Sequence, residues 1–368
     1  MIKVLADENI PLAQELFGQL GQLQVKAGRD IHAHDLLGVD ALIVRSVTKV
    51  NGDLFRYSQP RFVGSCTIGQ DHLDTRYLER EGIAYASAPG CNALSVVQYV
   101  ISVLARLKRL EPRRYEVGII GCGNIGRVLL KVLTRLGFSC CYYDPFLTDD
   151  DPASVSLDEL MKRDIVCMHT PLTTTGPYPS YHMLNAERLA ALKPGALLIN
   201  AGRGAAIDSA ALKTHLQTRP ALQVALDVWE NEPNIDVELM GLVDIATPHI
   251  AGYSYEGKIN GSLMIYQQLA HHLGIEAKDI NNTVEMVKRA SLGERVKLPV
   301  RSVEEAIFAS YDVREDDKKL RDQGVAHFDA LRKNYPRRRE FSHYALDAIG
   351  SSLNEKQKQW LQNLGFAW

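Results

Sequence analysis

Short apolar runs rich in β-branched residues alternate with amphipathic stretches along the first part of the chain. This alternation is typical of a parallel β-sheet whose strands are joined by crossover helices. It predicts one α/β unit over about residues 1–90. The candidate strands of this unit are IKVLAD, ALIVRSV, RFVGSC and IAYASA.

A longer apolar stretch follows this unit. The segment from APGCNA to RLKRL places apolar residues at helical spacing after a Pro-Gly loop, and Asn92 or Ser95 can cap it. We expect this long helix to lead from one domain into the next. From Val117 the alternation resumes, which predicts a second doubly wound unit with crossover segments such as RVLLKVLTRLG. The candidate strands of the second unit are EVGII, SCCYYD, DIVCMHT, ALLINA, QVALDV and VDIAT.

The pattern changes again toward the carboxyl terminus. After Gly257, the segment KINGSLMIYQQLAHHLG predicts a helix, which the pattern alone assigns to neither domain. Beyond about residue 285 the chain is dense in charges of both signs, with aromatic residues between them. Such a segment is compatible with a solvated surface or with a modest apolar face. The motif PRRRE at 336–340 is compatible with a phosphate site, but we favour structural or subunit contacts.

Length, charge and cysteine usage narrow the class of protein. The chain has 368 residues, a formal net charge of -2 at pH 7 and 46% apolar residues, which predicts a soluble protein of two or three domains and no nucleic-acid partner. The amino-terminal MIKVLADENIP lacks the apolar core of a signal peptide, and no apolar run has the length of a membrane span. We therefore expect a cytoplasmic protein. The six cysteines form no CxxC pair, which predicts buried free thiols and no metal site.

The most specific short motif, GCGNIG, follows a candidate strand and precedes a candidate helix. Gly121 permits a tight turn, Gly123 lets a pyrophosphate approach the backbone, and Gly126 lets helix and strand pack closely. The amino end of the helix then faces the phosphates. Asp144 ends the next strand, where it can accept hydrogen bonds from the ribose of NAD and repel the extra phosphate of NADP. The motif therefore predicts an NAD-binding domain.

Three further candidate strands end in chemically distinct side chains. Arg203 follows ALLINA in a Gly-flanked loop, His249 follows VDIAT, and the acidic residues Asp227, Glu230 and Glu232 follow QVAL. Ligands bind at such carboxyl ends in open α/β sheets. Oxidation of a secondary alcohol beside a carboxylate needs a base for the hydroxyl proton and a cation for the carboxylate. We therefore predict His249 as the acid/base, Glu232 as its partner and Arg203 as the substrate anchor.

The segments GCGNIG, LKPGALLINAGRGAAID, LDVWENEP and PHIAGY closely resemble the D-isomer-specific 2-hydroxyacid dehydrogenases over about residues 1–285. Motifs such as LADENIP, TIGQDHLD, YDVREDD and FDALRKNYPRRRE extend the resemblance over nearly the whole chain to one branch of this family. That branch oxidises a phosphorylated four-carbon hydroxy acid in vitamin B6 biosynthesis. The resemblance implies NAD as the cofactor, a small phosphorylated hydroxy acid as the substrate, and a homodimer formed through the C-terminal domain.

The resemblance also implies an α/β fold with two doubly wound parallel-sheet domains and a small C-terminal domain. We expect a flavodoxin-like substrate domain over 1–95 plus 253–285, a Rossmann-type NAD domain over 96–252, and an α+β dimerisation domain over 286–368. The residues implied to bind NAD are Gly121, Gly123, Asn124, Ile125, Gly126, Asp144, Thr170, Ala201, Asp227 and Gly252. Those implied to contact the substrate are Ser46, Thr67 and Tyr253, with Arg45 as our candidate for its phosphate and Lys258 or a basic residue of the tail as weaker ones.

Two other functions fit parts of the pattern. A 3-phosphoglycerate dehydrogenase is the nearest enzymatic alternative, because its substrate also joins a carboxylate to a phosphate. An NAD-sensing corepressor of the same fold is an alternative from another class, which would need docking grooves and no catalysis. The substrate-side residues Arg45, Ser46, Thr67 and Tyr253 are all present and favour an enzyme.

Overall fold

The computed structural model describes residues 2–147, 151–219, 221–349 and 353–368. The chain divides into two compact units. The first unit comprises Met1–Asn92 and Ser254–Glu294, and the second comprises Ala93–Tyr253 and Arg295–Trp368.

Strands and helices alternate along both units, as the apolar pattern predicted. The strands are β1 (Ile2–Asp7), β2 (Gly21–Lys26), β3 (Ala41–Val44), β4 (Phe62–Ser65), β5 (Ala84–Ala86), β6 (Glu116–Ile120), β7 (Ser139–Tyr143), β8 (Ile165–Met168), β9 (Leu197–Asn200), β10 (Gln223–Leu226), β11 (Ile245–Ala246), β12 (Val296–Val300) and β13 (Tyr344–Ala348). The helices are α1 (Ala13–Leu16), α2 (Thr75–Arg80), α3 (Ala93–Arg106), α4 (Gly126–Arg135), α5 (Leu157–Leu160), α6 (Ala186–Ala190), α7 (Ser209–Thr218), α8 (Val237–Leu242), α9 (Tyr255–His272), α10 (Ala277–Leu292), α11 (Val303–Ser310), α12 (Val313–Gln323), α13 (Phe328–Lys333) and α14 (Glu355–Leu364). In the described ranges, no helix combines the length and the apolar character that crossing a membrane requires.

The first unit is built on a parallel sheet within residues 2–92, with the strand order β2-β1-β3-β4-β5. This is the flavodoxin-like order that was expected. Strands β3 and β4 are buried along their whole length, because a parallel sheet is covered on both faces. Arg45 follows the carboxyl end of β3, and Thr67 lies just beyond the end of β4.

Helix α9, which the apolar pattern left unassigned and the family resemblance placed in the substrate domain, belongs to the first unit and packs on β4. Gly261 permits this contact, because a Cβ there would lie 2.5 Å from the Cys66 carbonyl oxygen. Helix α10 packs against α9 and contributes Ile280 and Val287 to the core of this unit. The helix pair therefore covers one face of the sheet with apolar side chains.

The second unit is built on a parallel sheet with the strand order β11-β10-β9-β8-β6-β7 across its described residues. The first strand of the unit, β6, lies between β7 and β8, so the strand order reverses beside it. Ligands bind at such a reversal in open α/β sheets. The carboxyl ends of these strands lead to Gly121, Asp144, Thr170, Ala201, Asp227 and His249. The predicted fold class, two doubly wound domains with a small C-terminal α and β region, is confirmed.

The C-terminal part differs from the separate domain expected over 286–368. Helix α10 lies in the first unit, whereas Arg295–Trp368 belong to the second unit. They do so because α11 and α12 pack on α3: Ser102 Oγ donates to the Tyr311 carbonyl and accepts from the Val313 amide, both at 3.0 Å. We call residues 295–368 the C-terminal segment. Its two strands, β12 and β13, form a parallel pair.

Candidate active site

His249 lies in the loop after β11 and is half-buried. Its Nδ1 lies 2.7 Å from Glu232 Oε2, the distance of a charge-assisted hydrogen bond. The backbone φ of His249 is 56°, in the left-handed region that few residues other than glycine adopt. Such a conformation persists only where the surrounding structure fixes it. The structure thus brings together the two residues that sequence analysis paired.

Asp227 holds the loop that carries His249. Its buried carboxylate accepts hydrogen bonds from the Ile250 and Ala251 amides at 2.8 and 2.9 Å, and from Thr247 Oγ1 at 2.7 Å. The Asp227 carbonyl also accepts from the His249 amide at 2.7 Å. Together these bonds fix the left-handed residue. The contact of Asp227 with NAD stays a prediction, and its support of this loop is a role that sequence analysis missed.

Both oxygens of the Glu232 carboxylate are engaged. Oε1 accepts from the Trp229 amide at 2.8 Å, and Oε2 faces His249. Burial alone would raise the pKa of this carboxyl, but the bond and charge of His249, the Trp229 amide and the charge of Arg332 hold its pKa below the usual value. Glu232 is therefore an anion that fixes Nδ1 of the imidazole as a donor, which leaves Nε2 as the proton acceptor.

Arg203 lies in the loop after β9 and is half-buried. Asn200 shapes this loop: its Nδ2 donates to the Arg203 carbonyl at 3.0 Å, and its Oδ1 accepts from the Gly202 amide at 3.1 Å. A Cβ on Gly204 would lie 1.9 Å from the carbonyl carbon of Trp229, so the loop after β9 touches the backbone of the loop after β10. The predicted substrate anchor and the acid/base pair therefore lie on adjacent loops.

A second histidine–glutamate pair lies in the same unit. His182 Nε2 is 2.9 Å from Glu230 Oε1, and His182 Nδ1 is 3.8 Å from Asp208 Oδ2. The Tyr181 ring stacks on the imidazole with centroids 3.9 Å apart. Because both ring nitrogens face carboxylates, we interpret this pair as structural. Sequence analysis did not single out His182.

The GCGNIG loop connects β6 to α4. Gly121 has a φ of 87°, and a Cβ on Gly126 would lie 2.0 Å from the Gly121 carbonyl oxygen, so both positions require glycine. At Gly123, a Cβ would have no atom of the described residues within 4 Å. Asn124 is exposed, and Ile125 precedes the first turn of α4. The open space at Gly123, directly before a helix amino end, fits a pyrophosphate.

Asp144 lies at the end of β7, beside this loop. Its Oδ2 accepts from the Cys122 amide at 2.9 Å, and its Oδ1 accepts from the Phe146 amide at 3.1 Å. The first bond joins the Asp144 carboxylate to the backbone of the GCGNIG loop. The side chain is half-buried, so it remains accessible to ribose hydroxyls.

Thr170 and Ala201 follow β8 and β9, and each is buried with 8% exposure. Thr170 Oγ1 has no hydrogen-bond partner among the described residues. Beside it, burial lowers the pKa of His169 to about 4, so this imidazole adds no charge at neutral pH. Gly252 lies in the loop that also carries His249. The orphaned Thr170 hydroxyl and the open phosphate loop both fit a bound dinucleotide.

The predicted substrate contacts of the first unit lie beyond β3 and β4. Arg45 donates from Nε and Nη2 to Asp7 Oδ2 and Oδ1 at 3.0 and 3.3 Å. Asp7 is completely buried, whereas the Arg45 side chain is 29% exposed. This pairing, which sequence analysis missed, orients the arginine fork. Ser46 is exposed, and Thr67 Oγ1 lies 2.9 Å from Ser65 Oγ.

Tyr253, the remaining predicted substrate contact, meets the C-terminal segment. Its ring lies edge-on to the Tyr335 ring with centroids 5.7 Å apart, and the guanidinium carbon of Arg332 is 6.0 Å from its centroid. Sequence analysis assigned neither Arg332 nor Tyr335 to the site. The sequence signal that could have indicated their role is FDALRKNYPRRRE, in which aromatic residues lie between basic ones. A segment that is only a solvated surface has no need of these aromatic side chains.

The cysteines are free thiols, and Cys140 is half-buried while the others are buried. Burial raises the pKa of Cys66 and Cys167, so these thiols stay protonated. In the part of the chain that the structure describes, no group of three or more His, Cys, Asp or Glu side chains is placed to hold a metal ion.

Residues 101–251 match the family described as D-isomer specific 2-hydroxyacid dehydrogenase, NAD binding domain, and residues 284–365 match a domain of unknown function (DUF3410). The chain is 54% identical to the erythronate-4-phosphate dehydrogenase of Teredinibacter turnerae over 96% of this chain and 97% of that protein. It is 46% identical to the erythronate-4-phosphate dehydrogenase of Cellvibrio japonicus over 99% of each.

The fold is also similar to that of solved dehydrogenases. The D-lactate dehydrogenase of Aquifex aeolicus, solved with NAD and lactic acid, has a TM-score of 0.63 and 23% identity over 77% of this chain and 97% of that chain. The NAD-bound 3-phosphoglycerate dehydrogenase of Entamoeba histolytica has a TM-score of 0.64 and 21% identity over 74% of this chain and 95% of that chain. At these identities the likeness establishes the fold alone.

Proposed function

The chain belongs to the erythronate-4-phosphate dehydrogenases of the D-isomer specific 2-hydroxyacid dehydrogenase family, and from this premise we propose that it oxidises erythronate 4-phosphate with NAD. The product is (R)-3-hydroxy-2-oxo-4-phosphooxybutanoate, an intermediate on the route to pyridoxal 5'-phosphate. The observation that carries the proposal is the His249–Glu232 pair, joined at 2.7 Å in the unit that also contains the dinucleotide loop.

His249 and Glu232 supply the proton chemistry. Because Glu232 engages Nδ1, Nε2 of the neutral ring takes the proton of the substrate's C2 hydroxyl. NAD held by the loop of Gly121, Gly123 and Gly126 would supply the acceptor for the hydride that leaves the same carbon. The imidazolium that forms is stabilised by the Glu232 carboxylate, whose second oxygen is already held by a backbone amide. In the reverse direction the same Nε2 returns the proton to the carbonyl oxygen.

Arg203 is the anchor for the substrate carboxylate, since its fork can bind two carboxylate oxygens at once. Ser46, Thr67 and Tyr253 are the further substrate contacts that we propose. For the phosphate we propose Arg45, whose fork Asp7 orients. The Asp7 carboxylate also offsets part of the arginine charge, so Arg45 acts mainly as a directed hydrogen-bond donor.

The dinucleotide contacts are proposed for the loop of Gly121, Gly123 and Gly126 and for the strand ends that surround it. Asp144 accepts from the ribose hydroxyls, and its charge disfavours the additional phosphate of NADP. The open space at Gly123 and the orphaned Thr170 hydroxyl support this placement. We expect the enzyme to prefer NAD over NADP by about tenfold or more, measured as the ratio of kcat/KM.

The experiment that tests the proposal is reduction of NAD by the purified protein, followed at the absorbance of NADH. Parallel reactions contain 4-phospho-D-erythronate or 3-phospho-D-glycerate. Without an oxoacid the rise in NADH is measured; with an oxoacid that reoxidises bound NADH, the oxidised product of the phosphorylated acid is measured instead. We expect turnover with the four-carbon acid. Preference for the three-carbon acid would move the protein to the alternative reaction, and inactivity with both would leave the corepressor interpretation.

We also propose that the protein is a cytoplasmic homodimer whose interface includes the C-terminal segment. Val296, Ile349 and Trp368 are large apolar side chains that this segment exposes by 50%, 41% and 41%, which supports an interface there. The free thiols support a reducing compartment. Light scattering after gel filtration tests the subunit count, and Val296→Asp should shift the protein toward the monomer.

A further inference from the structure

We propose that the C-terminal segment positions the acid/base pair, and that Arg332 is the residue through which it acts on Glu232 and Tyr253. This inference rests on the proposed function, because it assigns a part in the same reaction to a segment whose matching family has no described role. All the contacts that carry it lie within the second unit of a single chain.

Arg332 lies on α13 and its side chain is only 20% exposed. Its guanidinium carbon lies 6.0 Å from the centroid of the Tyr253 ring. Burial alone would lower the pKa of this guanidinium, but Tyr253 and the Glu232 carboxylate raise that pKa. The third group that faces it is Asp329, on the same helix, at 3.7 Å from Nη1. Arg332 is therefore a mostly buried cation whose charge acts on the Glu232 carboxylate, the partner of His249.

One hydrogen-bond donor of the Arg332 guanidinium is left unsatisfied, which argues against a role in packing alone. Its Nε is buried and has no hydrogen-bond partner among the described residues. A buried donor without a partner lowers the stability of the fold. If the charge had no function, an apolar side chain at this position would make the protein more stable. Each Glu232 oxygen already has one donor, and the effect of Arg332 on the pKa of this carboxyl is that of its charge.

Two neighbours of Arg332 fix the same stretch of backbone. Tyr335 packs edge-on against the ring of Tyr253, and its hydroxyl donates to Asp316 Oδ2 at 2.7 Å. Arg338 is 7% exposed and donates from Nη2 to the Ala251 carbonyl. The C-terminal segment thus holds both Ala251 and Tyr253, within four residues of the histidine that takes the proton.

Arg338 is itself held inside the segment. Its guanidinium carbon lies 4.3 Å from the centroid of the Tyr311 ring, and Tyr311 donates to Asp316 Oδ2 at 2.9 Å. The same Asp316 oxygen accepts from Tyr335. Tyr335 and Arg338, which contact Tyr253 and Ala251, are therefore linked to each other through Asp316 and Tyr311.

The test compares Arg332→Met and Arg332→Lys with Lys333→Met, which removes an exposed cation from the neighbouring position of the same helix. Removing the cation at Arg332 favours protonation of the Glu232–His249 pair. Since oxidation needs the unprotonated base, the acidic limb of the kcat/KM profile should move up by about half a pH unit in Arg332→Met. We expect kcat to fall about tenfold while KM for NAD stays within about twofold.

Arg332→Lys keeps the charge, so its acidic limb should stay where the wild-type limb lies, and Lys333→Met should match the wild type in all respects. The inference is overturned if Arg332→Met leaves the limb unmoved, or if Arg332→Lys moves it equally. Gel filtration and thermal unfolding establish that each variant is folded. Arg332→Gln replaces Arg332→Met if the latter fails to fold.

A second readout does not depend on turnover. The carboxyl-carbon resonance of Glu232, assigned as the signal that Glu232→Gln removes, should titrate at higher pH in Arg332→Met than in the wild type, because the charge of Arg332 helps to lower the pKa of this carboxyl. If the wild-type protein fails to oxidise erythronate 4-phosphate, the proposed function fails while this titration still decides the inference. An unchanged titration in an active enzyme overturns the inference and leaves the proposed function intact.

Discussion

The two histidine–glutamate pairs of the second unit are nearly alike in isolation. His249 and Glu232 are 2.7 Å apart with side chains 32% and 20% exposed, and His182 and Glu230 are 2.9 Å apart with side chains 29% and 19% exposed. Both histidines have a left-handed backbone, with φ of 56° and 48°. Separation, burial and backbone strain therefore do not by themselves identify a catalytic histidine.

The two pairs differ in what surrounds the imidazole. Both ring nitrogens of His182 face carboxylates, those of Glu230 and Asp208. In His249 only Nδ1 is engaged, and the described part of the chain supplies no partner for Nε2. His249 also lies at the carboxyl end of a sheet strand, on a loop that a buried aspartate holds. A general base needs one nitrogen fixed and the other available, and His249 alone of these two meets that condition.

The sharpest way to break this comparison is to remove each imidazole in turn. We expect His249→Ala to lower kcat by about 10³-fold, because it removes the proton acceptor, while NAD binding stays within about twofold. His182→Ala should change kcat by less than about threefold, since its ring has no nitrogen available to the substrate. Steady-state kinetics and NADH fluorescence titration measure both. Equal losses in the two variants would mean that neither pair is the specific acid/base.

The glutamate partners should differ in the same direction but less strongly. Glu232→Gln keeps the shape of the side chain and removes the anion that stabilises the imidazolium, so we expect kcat to fall about 10²-fold. Glu230→Gln is the matched control and should leave kcat within about threefold of the wild type. A loss in Glu230→Gln as large as that in Glu232→Gln would contradict the assigned roles.

The aspartates behind the two loops allow a comparison of stability. Asp227→Asn places an amide group where one carboxylate oxygen accepts hydrogen bonds, so we expect the free energy of unfolding to fall by about 1–3 kcal/mol. Asp208 caps α7, and Asp208→Asn keeps a good capping residue there, so its effect should stay below about 0.5 kcal/mol. Urea unfolding monitored by tryptophan fluorescence measures both. Similar values would show that the loop of His249 needs no special support.

The smallest expected effect is on stability in acid. The pKa of Glu232 is lower in the folded protein than its ordinary value, so this group stabilises the fold above that ordinary value, and the contribution is lost as the pH falls through the folded pKa. The Glu232→Gln variant has no ionisable group at this position and therefore has no such pH-dependent contribution to lose. Between about pH 6 and pH 3, the free energy of unfolding should therefore decrease less in Glu232→Gln than in the wild type. Urea titrations at several pH values test the difference in slope.

Most of the fold follows from the apolar pattern because central parallel strands are continuously apolar. Strands such as β3 and β9 are buried along their whole length and stand out between polar loops. Strand β2 was missed, because it lies at the sheet edge, where half-buried and exposed residues alternate and only Val25 is β-branched. Strand β12 was missed because it is mostly exposed and contains Pro299.

The candidate site could be predicted as far as it depends on single strand ends. Each predicted group follows a strand, and parallel strands place their carboxyl ends along one edge. The contacts of Arg332 and Arg338 could not be predicted, because they join positions about a hundred residues apart through a segment without sheet periodicity. The pairing of Arg45 with Asp7 was missed for a similar reason, since it joins the ends of two strands that only the sheet order brings together.

Because of Arg338, the C-terminal segment cannot be exchanged between genes without other parts of its unit. Its Nη2 also donates to the Ser95 carbonyl, so it ties the start of α3 to Ala251, near both points where the chain passes between the two units. A protein that ended before Arg295 would lack the donor that these two carbonyls share. Recombination that transfers this tail to a shorter dehydrogenase therefore has to transfer α3 and the loop after β11 with it.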